Sequence, residues 1–168
     1  MRQWRILISS FLLISGLLFG QSTFAYEPDP THTALAQKSA EVFNQFSGGN
    51  LSGEEIGWIR EGARNEDTPP RWINHFYDPV TGQGWTSERM GQLPSSVVSL
   101  FSGMVLSSEK AAAAPAWAQD QNLQVKYKDY EGNRAWQRAV FDYVNGDKKE
   151  ALKSLGHILH LIADMAVP

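Results

Sequence analysis

The chain has 168 residues, with 15 Lys and Arg, 18 Asp and Glu, four His and no Cys. This length is enough for one domain with a buried core, and an aromatic content of 11% argues against general disorder. The formal net charge of -3 provides no broad basic surface for nucleic-acid phosphates. Because Cys is absent, thiolate chemistry and disulfides are excluded, and any metal site must use His, Asp and Glu.

Residues 1–25 have the three regions of a cleavable secretory signal peptide. Arg2 and Arg5 precede an apolar run over residues 6–20, and Thr23-Phe24-Ala25 is a small-residue cleavage pattern. The alternative is a membrane anchor, but the run is shorter than the roughly 20 apolar residues that a spanning helix needs. We therefore expect cleavage after Ala25 and a secreted or periplasmic mature domain over residues 26–168.

Two helices are predicted in the first part of the mature chain. The first opens at His32 and ends before Ser47, with an apolar face made of His32, Leu35, Ala36, Ser39, Phe43 and Phe46. The second begins at a capping box formed by Ser52 and Glu55, and its pattern is lost near Asn65. Residues 66–86 are rich in Pro, Gly, Asp and aromatics, which predicts an ordered functional loop.

The second half of the mature chain also shows helical periods. A third helix is predicted around residues 97–105, and the Ala-rich stretch after Lys110 is either a helix start or a spacer. Asn133 is predicted to cap a helix that ends at Asn145-Gly146. Asp147 and Glu150 form a second capping box for a last helix that runs to about residue 166. No segment shows sustained strand alternation, so the predicted fold class is all-α.

The last predicted helix carries the main chemical signal. Residues 158–167 are apolar on every side of the helix except at His160 and Asp164, which share one face. A buried carboxylate is costly unless it is paired or binds a metal, and no Lys or Arg follows Lys153. The pair is either a buried hydrogen bond or part of a metal site, and the apolar surroundings favour the metal. His157 lies one turn earlier, and spacing alone does not choose between His157 and His160.

Three further candidate ligands lie elsewhere in the chain. His32 starts the first helix, whereas Asp67 and His75 lie in the aromatic loop. Together with the last helix they supply three imidazoles and two carboxylates from four segments. Mixed nitrogen and oxygen ligation without sulfur suits a catalytic zinc site.

Three stretches form a recognisable pattern: Glu61-Gly-Ala-Arg-Asn-Glu-Asp67, His75-Phe-Tyr-Asp-Pro79 followed by Thr81-Gly82, and Leu155-Gly156-His157-Ile-Leu-His160-Leu-Ile-Ala-Asp164-Met-Ala-Val-Pro168. His32 with Leu35 and the following apolar helix forms a weaker first motif. In these stretches the chain resembles the bacterial zinc-dependent phospholipases C, which are related more distantly to the fungal single-strand nucleases. The likeness covers essentially the whole mature chain.

The resemblance implies a multi-helical all-α fold with a cluster of three zinc ions. One zinc would be bound by His75, His160, Asp67 and Asp164, and a second by His32 with Asp164 as the bridge. Asp67 would also be the general base, whereas His157 does not match a ligand position. In such enzymes metal-activated water attacks the phosphorus of a phosphodiester.

Two departures from the family pattern are visible. The family's N-terminal residue binds a zinc through its amine and carbonyl, and here the predicted N-terminal Tyr26 lies closer than usual to His32. The family pattern also continues after the Pro with ligands for the third zinc, so the resemblance implies an N-terminal portion of the phospholipase C-like domain.

The expected function is hydrolysis of a phospholipid headgroup phosphodiester, with transient contact with a membrane surface and no stable nucleic-acid partner. A zwitterionic headgroup suits an acidic protein better than an anionic one does. One alternative is a single-strand nuclease-like phosphodiesterase, which an aromatic base-stacking pocket beside the metals would distinguish. Trp72 and Trp85 are loop aromatics that could serve either enzyme, although packing is the commoner role of such residues. The other is a non-catalytic zinc-binding fragment or interaction module.

Overall fold

The computed structural model describes residues 28–68, 71–84, 111–125 and 132–166. Their helices are α1 (Pro28–Phe46), α2 (Gly53–Asn65), a 3-10 helix (Arg71–Asn74), α3 (Ala114–Gln119), α4 (Gln121–Gln124), α5 (Trp136–Val144) and α6 (Lys148–Met165). These ranges contain no strand, and their one extended pairing is an isolated bridge between Asp78 and Gln83. The predicted all-α class is therefore confirmed for the described part of the chain.

Several sequence predictions concern other residues. The signal peptide, Tyr26, Trp85 and the helix predicted around residues 97–105 lie outside the described residues. Among the helices that are described, none is long and apolar enough to cross a lipid bilayer.

The capping box at the start of α2 is present as predicted. The Ser52 side chain accepts a hydrogen bond from the Glu55 backbone nitrogen at 3.2 Å, and Glu55 Oε2 accepts one from the Ser52 nitrogen at 2.8 Å. At the start of α6, Asp147 caps the Glu150 nitrogen in the same way. The Glu150 carboxylate, however, accepts from Arg134 Nη1 at 2.7 Å, so the second box is formed only on the Asp147 side.

Helix α1 differs from its prediction in both its start and its buried face. It begins at Pro28, because proline is readily accommodated in a first helical turn. Its buried side chains are His32, Thr33, Ala36 and Ala40, whereas Leu35, Phe43 and Phe46 are 48%, 47% and 75% exposed. The small Ala36 and Ala40 side chains allow close packing on the core, so the larger apolar residues of the helix face outward.

The prediction that Asn133 caps α5 was also wrong, whereas the Ala-rich stretch proved to be the start of a helix. The N-cap of α5 is Ala135, which offers no side-chain cap, because Asn133 Oδ1 accepts from the Ala135 nitrogen in a local turn instead. The Ala-rich stretch leads into α3, which begins at Ala114 with Pro115 in its first turn.

Helices α2 and α6 run in the same direction and their backbones are in close contact. Their direction follows from three side-chain contacts, because later residues of α2 contact later residues of α6. Glu55 pairs with Lys148, Glu61 pairs with Lys153, and Glu66 at the end of α2 contacts His157. The approach depends on two glycines. A Cβ on Gly62 would lie 2.8 Å from the Lys153 carbonyl carbon and closer still to its oxygen, and Gly156 meets α2 equally closely.

Helix α6 belongs to both apolar clusters of the core. Leu152 packs with Ala36, Ala40, Ile59 and Ala63, whereas Leu161 packs with Ala114, Trp117 and Ala118. The predicted burial on every side holds through Leu161 and then fails, since Ile162 is 52% exposed. The two candidate ligands on α6, His160 and Asp164, therefore lie where the helix passes from buried to solvent-accessible positions.

Candidate metal centre

Five side chains from four segments converge beside the last turns of α6. His32 comes from α1, Asp67 follows the end of α2, His75 follows the 3-10 helix, and His160 and Asp164 lie on α6. The structure thus brings together all five residues for which the sequence suggested metal ligation. The cluster contains two triplets whose ligand atoms all lie within 4.8 Å of one another, and His160 belongs to both.

Asp164 lies between the three imidazoles. Its Oδ1 is 3.0 Å from His32 Nε2, whereas its Oδ2 is 2.9 Å from His75 Nδ1 and 3.2 Å from His160 Nε2. Asp67 faces the same rings, with Oδ1 3.4 Å from His160 Nε2 and 3.7 Å from His75 Nδ1. Four ligands placed tetrahedrally around zinc at about 2.0 Å would be about 3.3 Å apart, which is close to these separations.

The backbone of α2 sets the orientation of His160. Its Nδ1 is 2.6 Å from the carbonyl oxygen of Ala63, so the ring donates its Nδ1 proton to the backbone. In the neutral ring Nε2 then has a free lone pair, and this is the atom that faces Asp67 and Asp164. Histidines that bind metals commonly donate their other ring N–H to a backbone carbonyl in this way, which fixes the tautomer.

Several close contacts in the cluster are not hydrogen bonds. Within the described part of the chain, His160 Nε2, His75 Nε2 and Asp164 Oδ2 are buried and have no hydrogen-bond partner. Although Asp164 Oδ2 lies 2.9 Å and 3.2 Å from two ring nitrogens, the angles do not suit N–H donation. Nitrogen and oxygen atoms that approach without bonding each other are arranged as ligands of a common cation would be.

The two aspartates are ionised without a metal. Burial alone would raise the pKa of Asp164, but contacts with His160, His32 and His75 outweigh it and hold that pKa well below its usual range. Burial would likewise raise the pKa of Asp67, and its histidine neighbours again lower it strongly.

The pKa values of His75 and His160 are shifted upward, in the opposite direction to those of the aspartates. Burial alone would lower the pKa of His75, but Asp164 and Glu66 outweigh it and raise the pKa to about 9. The pKa of His160 is also raised to about 9, because Asp164 and Asp67 outweigh its burial. In the metal-free protein at neutral pH both rings therefore carry an extra proton, and a bound metal ion has to displace these protons.

A fully buried carboxylate, Glu66, lies behind this cluster. Its Oε2 accepts from Arg71 Nε at 2.8 Å, from Arg71 Nη2 at 2.7 Å and from His157 Nδ1 at 2.5 Å. Its Oε1 accepts from Trp117 Nε1 at 2.7 Å and is 3.6 Å from His75 Nε2. Burial would raise the pKa of Glu66, but Arg71 and the histidines hold it well below its usual range.

Sequence reasoning missed Glu66, although a signal was present. Glu66 directly precedes Asp67, and Arg71 follows five residues later, close enough along the chain to neutralise a buried carboxylate. The structure also separates the two histidines that spacing left open. His160 faces the aspartates, whereas His157 faces Glu66, and burial lowers the pKa of His157 to about 4, so its ring is neutral.

No protein-family model, curated protein or solved structure matches this chain. The geometry of the five-residue cluster is therefore the observation that bears on function. These buried His and Asp groups could hold a metal ion.

Proposed function

We propose that this protein is a zinc-dependent phosphodiester hydrolase of the phospholipase C type. The observation that supports the proposal is the convergence of three imidazoles and two aspartates into two triplets that share His160, with Asp67 still 34% exposed to solvent. A cluster with several protein ligands and one open side is typical of catalytic zinc, whereas structural zinc sites are closed.

The types and positions of the ligand atoms favour zinc over other common cations. Calcium and magnesium prefer oxygen ligands, but here three ring nitrogens accompany the carboxylate oxygens. In the proposed arrangement His75, His160, Asp67 and Asp164 would hold one zinc, and His32 would hold a second. Asp164 is suited to bridge two ions because its Oδ1 faces His32 and its Oδ2 faces the other two rings.

Zinc, when bound, would polarise the phosphoryl group and lower the pKa of a coordinated water. The chain's own residues orient the reactants around it. Asp67 lies on the solvent side of the cluster, where its carboxylate can position an attacking water and accept its proton. The Ala63 carbonyl fixes the ring of His160, so this ligand needs little rearrangement when substrate binds.

The proposed substrate is a phospholipid with a zwitterionic headgroup. The chain has a formal charge of -3, so its net charge does not attract an anionic lipid surface or a nucleic acid. Transient contact with a membrane would follow from such a substrate.

The first test measures zinc content and turnover together. The purified protein is assayed with a soluble chromogenic phosphodiester before and after treatment with a chelator, and zinc per chain is determined on the same samples. We expect bound zinc and turnover that the chelator abolishes. Asp67→Asn should lower turnover by about 100-fold or more, as expected for loss of a general base. Glu61→Gln is the matched control, because Glu61 is a half-exposed carboxylate that pairs with Lys153 outside the cluster.

The second test separates the substrate classes. Phosphatidylcholine vesicles and single-stranded DNA are offered to the zinc-loaded protein, and release of the phosphorylated headgroup or of nucleotides is measured. Headgroup release supports the proposal, whereas cleavage of DNA alone would identify a nuclease-like enzyme. Bound zinc without chelator-sensitive turnover on any of these substrates would identify a non-catalytic metal-binding protein and refute the enzymatic function.

A further inference from the structure

We propose that Glu66 is a positioning residue for the metal centre, because it anchors the three segments that carry Asp67, His75 and His160. This inference rests on the proposed metal centre and adds a residue that is not among its ligands.

The first segment is the end of α2. Glu66 is the C-cap residue of this helix, and its side chain is completely buried, so the chain direction at this point is fixed. Asp67 is the next residue, and its carboxylate leaves the same turn toward the histidines. A shift in the Glu66 backbone would therefore move a proposed ligand directly.

The second segment is the 3-10 helix that leads to His75. Arg71 begins this helix and directs two of its donors to Glu66 Oε2, while its Nη1 donates to the Gly132 carbonyl at 2.9 Å. The Arg71 side chain is itself fully buried. His75 follows one turn later, with its Nε2 3.6 Å from Glu66 Oε1 and its Nδ1 on the side of Asp164. At 3.6 Å this is an ionic contact rather than a hydrogen bond, and the negative charge of Glu66 acts on the His75 ring from the side opposite Asp164.

The third segment is α6. His157 donates its Nδ1 proton to Glu66 Oε2, and His160 lies one turn further along the same helix. The contact therefore fixes the register of α6 against the end of α2. Together with the hydrogen bond from His160 to the Ala63 carbonyl, it gives α6 two links to α2 beside the cluster.

The arrangement predicts an effect on metal affinity beyond that on stability. Replacing an outer-shell partner of a metal-binding histidine typically weakens metal binding by about 10- to 100-fold. A buried carboxylate with no link to the centre should affect only the stability of the fold. Such a carboxylate is Asp142 on α5, which is buried and accepts from Arg138 Nε at 2.8 Å.

The test compares Glu66→Gln with Asp142→Asn, two replacements of a buried, Arg-paired carboxylate by its amide. Zinc dissociation constants are measured by competition with a chromogenic chelator, and the visible spectrum of the cobalt(II)-substituted protein reports ligand geometry. We expect Glu66→Gln to weaken zinc binding by about 10- to 100-fold and to alter the cobalt spectrum. Asp142→Asn should leave both unchanged, even if it lowers the unfolding temperature.

Glu66→Asp provides a second variant that keeps the charge opposite Arg71 but withdraws it from His75. It should show the same changes to a smaller degree. The role of Glu66 is overturned if both Glu66 variants bind zinc as tightly as the wild type, or if Asp142→Asn weakens zinc binding equally. It is also overturned if neither variant keeps a cooperative unfolding transition, because the residue is then required for folding itself. Absence of zinc binding by the wild type would instead refute the metal centre.

Discussion

Replacing Gly156 by alanine tests the contact between α2 and α6 on which the metal centre is built. A Cβ at this position would lie 2.8 Å from the Ala63 nitrogen and closer still to the Ile59 carbonyl oxygen. Both obstacles are backbone atoms, which cannot rotate away as a side chain could. The two helices would therefore have to separate by roughly 1 Å at their crossing, in an interior that is closely packed.

The magnitude follows from two opposing effects. Overpacking a core typically costs 1–3 kcal/mol, and we expect about 3 kcal/mol here because the obstacles are rigid. Alanine in a helix is favoured over glycine by about 1 kcal/mol, which offsets part of this cost. The expected net loss in the free energy of unfolding is about 2 kcal/mol. Zinc binding should also weaken, since the displaced Ala63 carbonyl is the acceptor for His160.

The assay is urea unfolding followed by tryptophan fluorescence, with chelator and with zinc. Gly57→Ala is the matched control, because Gly57 lies in the interior of α2 and a Cβ there would meet no atom within 4 Å. This control should be stabilised by about 0.5–1 kcal/mol. If Gly156→Ala is as stable as Gly57→Ala, the inferred close contact between the two helices is wrong.

Three further predictions concern the ligands, the pH dependence and a helix cap. Asp164→Asn should lower the zinc content per chain more than His157→Gln does, and equal losses would contradict the choice of His160 over His157 as the ligand. The pKa values of His75 and His160 are raised from 6.5 to about 9 in the folded metal-free protein, so these groups stabilise it fully below about pH 6.5. The unfolding temperature of the chelated protein should therefore fall between pH 7 and pH 9.5, as both groups lose their protons, while zinc affinity rises over the same range. A chelated protein whose stability rises over that range would contradict the assigned charges. Ser52→Ala should lower the free energy of unfolding by about 1 kcal/mol in urea titrations and leave zinc affinity unchanged, because it removes only the cap of α2. A changed zinc affinity would show that this cap also supports the metal centre.

Local signals in the sequence determined much of the secondary structure. The capping box at Ser52 was correct because a side chain and a backbone nitrogen three residues apart interact without help from the rest of the fold. The predicted end of α5 at Asn145 and Gly146 was also correct. Its signal is local as well, since Gly146 has a positive φ of 87° that favours glycine. The prediction of which face of α1 is buried was wrong, because burial depends on which neighbouring element the helix packs against.

Sequence patterns also singled out the five residues of the proposed metal centre, although they are far apart in the chain. Only His160 and Asp164 stood out by themselves, because they interrupt an apolar helix. His32, Asp67 and His75 were unremarkable one at a time and became candidate ligands as a set, to which the family resemblance then assigned roles. Glu66 escaped notice because most of its partners, His75, Trp117 and His157, come from other segments, and only Arg71 lies close to it in the sequence. In the sequence a glutamate at the end of a helix resembles an ordinary solvated charge.

Sequence patterns were therefore enough to establish the residue types available for a metal and the segments that carry them. The packing of the folded chain was needed to show that His160 faces the aspartates while His157 faces Glu66, because both lie on the same helix and differ only in what packs against them. It likewise decided that Gly62 and Gly156 are contact points between backbones. Helical periodicity reports which residues share a face, whereas the neighbour of each face is set by long-range packing.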